Sequence, residues 1–221
     1  TFLKKLFSEL YPAGAVSVVM DTYDYWANLK RCGVGELKDI IMKRPGTVFF
    51  RGDSGDPVDI ICGHVVVGRT TMLNTFENLW NGTLTGEARL NALKYVDSNI
   101  CLENKDSGEH FLYHVAKNGE TKLLRKLTDV EVLGTVGLLA KMFGYTTNEA
   151  GYKVLDSHVR AIYGDSITPN RARQMYERLA EKGFAACNVA LGAGSFSTQC
   201  AETVDGKLLP FTRDSYGIAV K

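Results

Sequence analysis

The sequence predicts an α/β protein built on a parallel sheet, and three observations carry the prediction. First, a strand-like apolar run is followed at once by acidic residues in three places. Val16-Ser17-Val18-Val19-Met20 leads into Asp21-Thr22-Tyr23-Asp24, Thr47-Val48-Phe49-Phe50 into Arg51-Gly52-Asp53-Ser54-Gly55-Asp56-Pro57, and His158-Val159-Arg160-Ala161-Ile162-Tyr163 into Gly164-Asp165-Ser166. α/β enzymes keep their chemistry at the C-terminal ends of such strands. A fourth apolar run, Val189-Ala190-Leu191, ends in the glycine turn Gly192-Ala193-Gly194-Ser195. Second, stretches of helical periodicity separate these runs, and that βαβ-like order implies parallel strands. Third, one Asn-Gly turn signals an antiparallel hairpin that interrupts the rhythm.

Taken in order, Phe2, Leu3, Leu6, Phe7 and Leu10 form a helical stripe that Pro12-Ala13-Gly14 ends before the first strand. Residues 25–31 and 36–43 are predicted helical ahead of the strand that reaches Arg51, and residues 70–80 form a helix after the acidic loop. Residues 82–127 break the pattern. There, His110-Phe111-Leu112-Tyr113-His114-Val115-Ala116 and Thr121-Lys122-Leu123-Leu124-Arg125 flank Lys117-Asn118-Gly119-Glu120, which reads as a hairpin. Thr128 and Glu131 make a capping box that opens a helix to Phe143, with Gly144 at its end. Thr168-Pro169 starts another helix, running through Met175 and Leu179 to Gly183.

Composition narrows the function classes. A chain of 221 residues, 45% hydrophobic and 23% charged, is ordinary for a soluble globular protein. Lys and Arg number 26 against 25 Asp and Glu, so there is no global basic field to hold nucleic acid or a membrane surface. Any phosphate site must therefore be local. No apolar run approaches the roughly 18 residues that a membrane span needs. Cys32, Cys62, Cys101, Cys187 and Cys200 are odd in number, widely spaced and free of any C-x-x-C pair, which argues against a disulfide framework and fits a reducing cytoplasm.

The richest segment is Arg51 to Pro57. Two glycines let backbone approach a ligand closely, while an arginine and two carboxylates can hold a phosphate, a hydroxyl or a metal. Plainer readings stand beside this one. Aspartates after strands often cap helices, Arg51 can pair structurally with Asp53 or Asp56, and Gly164-Asp165 can be a turn. The letters of Arg51-Gly52-Asp53 also spell an adhesion tripeptide, a reading that requires an exposed loop in a secreted protein. His110 and His114 share a strand face, but a zinc site there lacks a third ligand at readable spacing.

These segments, in this order, resemble the nicotinamide phosphoribosyltransferases, enzymes that join nicotinamide to phosphoribosyl pyrophosphate. The resemblance rests on Ser17 to Asp24, Arg51 to Pro57, Gly164-Asp165-Ser166-Ile167, Gly192-Ala193-Gly194 and Thr212-Arg213-Asp214. It covers about the second half of such an enzyme, and the chain opens at Thr1 rather than Met, so a partial chain, inactive and prone to associate alone, is expected. It implies that residues 1–221 form part of an irregular, TIM-like α/β barrel of the type II phosphoribosyltransferase kind, with residues 63–127 as an insertion that carries the hairpin.

The resemblance also implies roles. Asp21 and Asp53 would serve magnesium or the ribose and pyrophosphate region, and Arg51 would lie beside nicotinamide and ribose. Ser17 would sit near the carboxamide, and Gly164 with Asp165 would take the ribose hydroxyls. Gly192, Gly194 and Ser195 would bind the 5′-phosphate through backbone N–H groups, and Arg213 would complete that cradle. Magnesium, ATP as a coupled substrate, and a homodimer belong to the same expectation. The sequence departs from the family pattern at Ser195-Phe196, where further glycines are usual, and at Gly52, where proline is usual. None of His64, His110, His114 or His158 matches the family's phosphorylatable histidine. The alternatives are a nicotinate phosphoribosyltransferase, which shares the barrel, and a non-catalytic sugar-phosphate-binding or dimerisation module.

Overall fold

The computed structural model describes residues 2–164 and 167–192, together with the backbone of residues 201–204 and 207–210. The elements in chain order are α1 (Phe2–Lys5, continued by a π-helical turn over Leu6–Leu10), β1 (Val16–Val19), α2 (Tyr25–Cys32), α3 (Gly35–Lys43), β2 (Val48–Gly52) and α4 (Pro57–Cys62). Next come β3 (Val66–Arg69), α5 (Leu73–Trp80), α6 (Gly86–Leu93), β4 (Ser98–Glu103), β5 (His110–Val115) and β6 (Thr121–Leu127). The chain continues through α7 (Asp129–Phe143), β7 (Tyr145–Thr147), β8 (Lys153–Leu155), β9 (Val159–Tyr163), α8 (Pro169–Glu181), β10 (Val189–Leu191), β11 (Ala201–Val204) and β12 (Lys207–Pro210).

Strands β1, β2, β9 and β10 form one sheet in that order, and every pairing in it is parallel. Strict alternation sets its two faces. On β2, Val48, Phe50 and Gly52 are buried while Phe49 and Arg51 are half-buried, and β9 repeats the pattern. The buried face packs against helices through Leu29, Ile41, Ile61, Leu139 and Met175, all essentially inaccessible. The other face carries Ser17, Phe49, Arg51, Arg160 and Ile162, which the register brings side by side. Parallel sheets are usually covered on both faces; here one face is covered by helices, and the described strands form an open sheet rather than a closed barrel.

Residues 66–127 make a second sheet in the order β3-β4-β5-β6. The predicted hairpin is β5 and β6, antiparallel, with Gly119 at φ 90° in the turn. The sheet is larger than that hairpin, because β4 pairs antiparallel with β5 on one side and parallel with β3 on the other. Strand β4 is buried on both faces. Ile100 and Leu102 join Phe76, Leu79, Ala92 and Val115 in a cluster beneath α5 and α6, whereas Cys101 meets Leu112 and Leu127 on the opposite face. An apolar run without alternation is what such a strand looks like in sequence, which is why β4 was not predicted.

The uninterrupted helix predicted over 128–143 is corrected at one residue. The capping box at Thr128 and Glu131 forms as expected, but Gly134 is non-helical at φ 70° and divides α7. The cause is a close approach: a Cβ on Gly134 would lie 2.2 Å from Gly63 N, and one on Gly63 would lie 2.3 Å from Val132 O. Two backbones touch here, so only glycine fits. Lys182 gathers the carbonyls at this contact, its Nζ donating to Val132 O (2.7 Å) and Leu133 O (3.0 Å) beside the break and to Cys62 O at the end of α4. Arg178 adds bonds to Asp59 (2.5 Å) and Gly63 O (3.0 Å), so α8 ties α4 to α7 at the point where the second sheet departs.

Candidate functional site

The register of the parallel sheet explains why distant motifs meet. Val19 faces Arg51, so Asp21 and Asp53, each two residues further on, fall level with one another. Gly52 faces Tyr163, which puts Asp53 level with Gly164. Leu191 faces Tyr163, and Gly192 N donates to Tyr163 O at 2.8 Å, which puts Gly192 level with Gly164. Asp21, Asp53, Gly164 and Gly192 therefore form one row just beyond the C-terminal ends of four parallel strands, where α/β folds place ligands.

Two of these positions need glycine for space rather than for backbone conformation. A Cβ on Gly164 would sit 2.9 Å from both Cζ and Nη2 of Arg51, so the guanidinium lies directly against the Gly164 backbone. A Cβ on Gly192 would sit 2.7 Å from the Gly164 Cα. Arg51 Nε donates to Asp53 Oδ1 at 2.8 Å, with both side chains a little over one-third exposed. Arg51 and Gly52 complete β2, and Gly52 is buried, so the adhesion tripeptide is not displayed on a loop.

The acids after β1 and β2 divide their work. Asp24 caps α2, accepting from Ala27 N at 3.0 Å, and Asp56 caps α4, accepting from Val58 N (2.9 Å) and Asp59 N (3.1 Å). Asp21 caps no helix. Its Oδ2 accepts from Asp53 N and Ser54 N, both at 2.7 Å, and from the Ser54 hydroxyl. Partial burial pushes the Asp21 carboxyl upward in pKa, but the hydrogen bonds from the Ser54 hydroxyl and the two N–H groups outweigh it and hold the group below the ordinary carboxylate range. Tyr163 closes the loop from a third side, its hydroxyl donating to Gly55 O at 3.0 Å.

Sequence reasoning missed Ser54 and Tyr163 as members of the site. Ser54 lay inside the quoted motif without a role. Tyr163 had a signal: a tyrosine ending a buried strand needs a partner for its hydroxyl. Ser17 lies outside the row, level with Phe49 on the sheet face that carries Arg51, two residues or about 6–7 Å below it. Asp165, Gly194, Ser195 and Arg213 lie outside the described residues. His110 and His114 share a face of β5, where His114 Nδ1 contacts Asn99 Oδ1 at 3.0 Å, and among the described residues no group of three or more His, Cys, Asp or Glu is placed to hold a metal ion. Magnesium needs less, one or two carboxylates completed by waters and substrate oxygens. Both carboxylates meet that requirement among the described residues: Asp53 has Oδ1 bonded to Arg51 and Oδ2 open, and Asp21 has Oδ2 filled by three donors and Oδ1 open. Among the described residues no helix is long and apolar enough to cross a membrane.

Comparison with known proteins agrees with this arrangement. Residues 5–208 match the nicotinate phosphoribosyltransferase (NAPRTase) family. The chain is 32% identical over 99% of its length to a nicotinamide phosphoribosyltransferase of Acinetobacter baylyi, covering 31% of that protein. It is 27% identical over 92% of its length to one of Xanthomonas campestris, covering 31% of it, and 26% identical over 86% to one of Mycoplasma pneumoniae, covering 29%. The chain thus spans under a third of the length of the curated relatives it matches. With the family model matched over residues 5–208, the chain belongs to the nicotinate phosphoribosyltransferase family.

Proposed function

We propose that this chain supplies part of a catalytic site that transfers a phosphoribosyl group from phosphoribosyl pyrophosphate to nicotinamide, giving nicotinamide mononucleotide and pyrophosphate in NAD biosynthesis. The observation that supports it most is the row of Asp21, Asp53, Gly164 and Gly192 with the Arg51 guanidinium resting on Gly164. In the reaction the pyridine nitrogen attacks the anomeric carbon, the bond from that carbon to the pyrophosphate oxygen breaks, and its electron pair leaves with pyrophosphate. Positive charge builds on the sugar and ends on the pyridinium ring.

Such a reaction asks for fixed charges and close backbone rather than for a strong acid or base. Asp53 sets a carboxylate beside the developing positive charge. Arg51, held by Asp53, offers its guanidinium to oxygens of the substrate, and Gly164 and Gly192 let the sugar phosphate approach the strand ends. Magnesium, when bound with the substrate phosphates at Asp53, would neutralise the departing pyrophosphate. Asp165 for the ribose hydroxyls, and Gly194, Ser195 and Arg213 for the 5′-phosphate, complete the proposal on the strength of the resemblance. A homodimer, ATP as a coupled substrate and a cytoplasmic location extend the same proposal to the whole protein.

The family takes its name from nicotinate, which favours that base as a second reading, and Ser17 is the residue whose hydroxyl suits the carboxamide. The test is product formation from phosphoribosyl pyrophosphate and magnesium with either base, in this chain and in any longer protein that carries it. A mononucleotide product that disappears in Asp53→Asn is expected. Turnover of nicotinate alone would move the reading to the acid, and no product with either base in the longer protein would overturn it.

A further inference from the structure

The acidic residue after β1 has been assigned so far only a place in the row, and its bonds say more. A carboxylate oxygen has two lone pairs, and Asp21 Oδ2 receives three donors: Asp53 N, Ser54 N and Ser54 Oγ. A cation reaching that oxygen would have to displace at least one of them. All three donors come from the segment that carries Asp53, and the parallel register brings that segment level with Asp21. Asp24 and Asp56 already cap the two neighbouring helices, so Asp21 is not needed as a cap.

We propose that Asp21 and Ser54 form a clasp that sets the height and direction of Asp53, so that Asp21 acts through Oδ2 as a positioning residue. The clasp explains how Asp53, on a loop between two glycines, is held: Asp21 fixes its N–H, Arg51 its side chain, and Tyr163 the Gly55 carbonyl two residues on. It also explains the choice of a charged acceptor, because hydrogen bonds to a carboxylate are about twice as strong as neutral ones. The consequence for the reaction rests on the phosphoribosyl-transfer reading; the clasp itself does not.

Hydrogen exchange at the Asp53 and Ser54 amides of the full chain tests the clasp without any substrate. Asp21→Asn is expected to speed exchange at both amides by about tenfold or more, and Ser54→Ala by less, since it leaves the two N–H donors in place. Ser54→Ala keeps the carboxylate and both N–H donors and carries the test where Asp21→Asn fails to fold: exchange at the two amides no faster than in the unsubstituted chain would overturn the clasp. In the active protein, Asp21→Asn should lower kcat while leaving the magnesium concentration for half-maximal activity unchanged. Unchanged exchange together with a raised magnesium requirement would make Asp21 a ligand and overturn the proposal. Lost protection in a protein that forms no mononucleotide even without substitutions would instead sink the phosphoribosyl-transfer reading and leave the clasp standing.

Discussion

The two four-stranded sheets of this chain treat their faces in opposite ways. The sheet over residues 66–127 buries its central strand on both sides, with Ile100 and Leu102 on one face and Cys101 on the other, and its β6 edge carries Lys122, Arg125 and Lys126 around the exposed Leu123 and Leu124. Charges on an edge strand oppose pairing with another chain. The parallel sheet covers one face with helices, leaves Ser17, Arg51 and Arg160 on the other, and places its acids and glycines in a row at the rim. A strand buried on both faces has no room for a reactive group, whereas a half-covered sheet can hold charges on a rigid support. One region is closed by packing, and the other keeps charges accessible.

The comparison breaks most sharply if damage to the second sheet costs function directly. Phe76 is fully buried beneath that sheet, and Phe76→Ala is expected to lose about 3–5 kcal/mol of stability in denaturant unfolding, with kcat/KM of the folded fraction unchanged. The mirror case is Asp53→Asn, which on the proposed role should cut phosphoribosyl transfer by roughly 10²–10³-fold while the melting temperature stays within a degree or so, because the side chain is over a third exposed and lies outside the core. A folded variant with near-normal turnover would remove Asp53 from the site.

The junction between the regions is expected to give an intermediate effect. Lys182→Met keeps the length of the side chain but removes the Nζ donor from the carbonyls of Cys62, Val132 and Leu133, of which Val132 keeps His64 N at 3.1 Å, and should cost roughly 1–3 kcal/mol on unfolding. The smallest effect belongs to Gly164→Ala. Its new methyl meets only the end of a flexible arginine, so stability should change by less than about 1 kcal/mol, while displacement of the Arg51 guanidinium should lower kcat/KM by about tenfold. Equal loss of stability and activity at this position would show that Gly164 serves packing alone.

Much of the parallel region was legible in the sequence because its signals are local. The apolar runs that became β2 and β9, the Pro169 start of α8, and the capping box at Thr128 each depend on neighbours a few residues away. The order of acids and glycines at strand ends likewise marked out the row before its geometry was known. The second region was legible at the helix that became α5 and at the hairpin of β5 and β6 around Asn118-Gly119. Strand β4 lacks alternation, α6 has little apolar asymmetry, and the parallel pairing of β3 with β4 joins residues more than thirty positions apart.

By itself, then, the sequence determined which residues end strands, where helices begin, and that charge gathers after β1 and β2. Tertiary structure alone decided the register that levels Asp21 with Asp53, the three donors that fill Asp21 Oδ2, the contact of Arg51 with Gly164, and the break at Gly134 against Gly63. The reason is one of range. Propensity, alternation and capping act over a few residues along the chain, whereas the pairing of parallel strands and the meeting of two backbones join segments about 30 to 110 residues apart and depend on how the intervening chain packs.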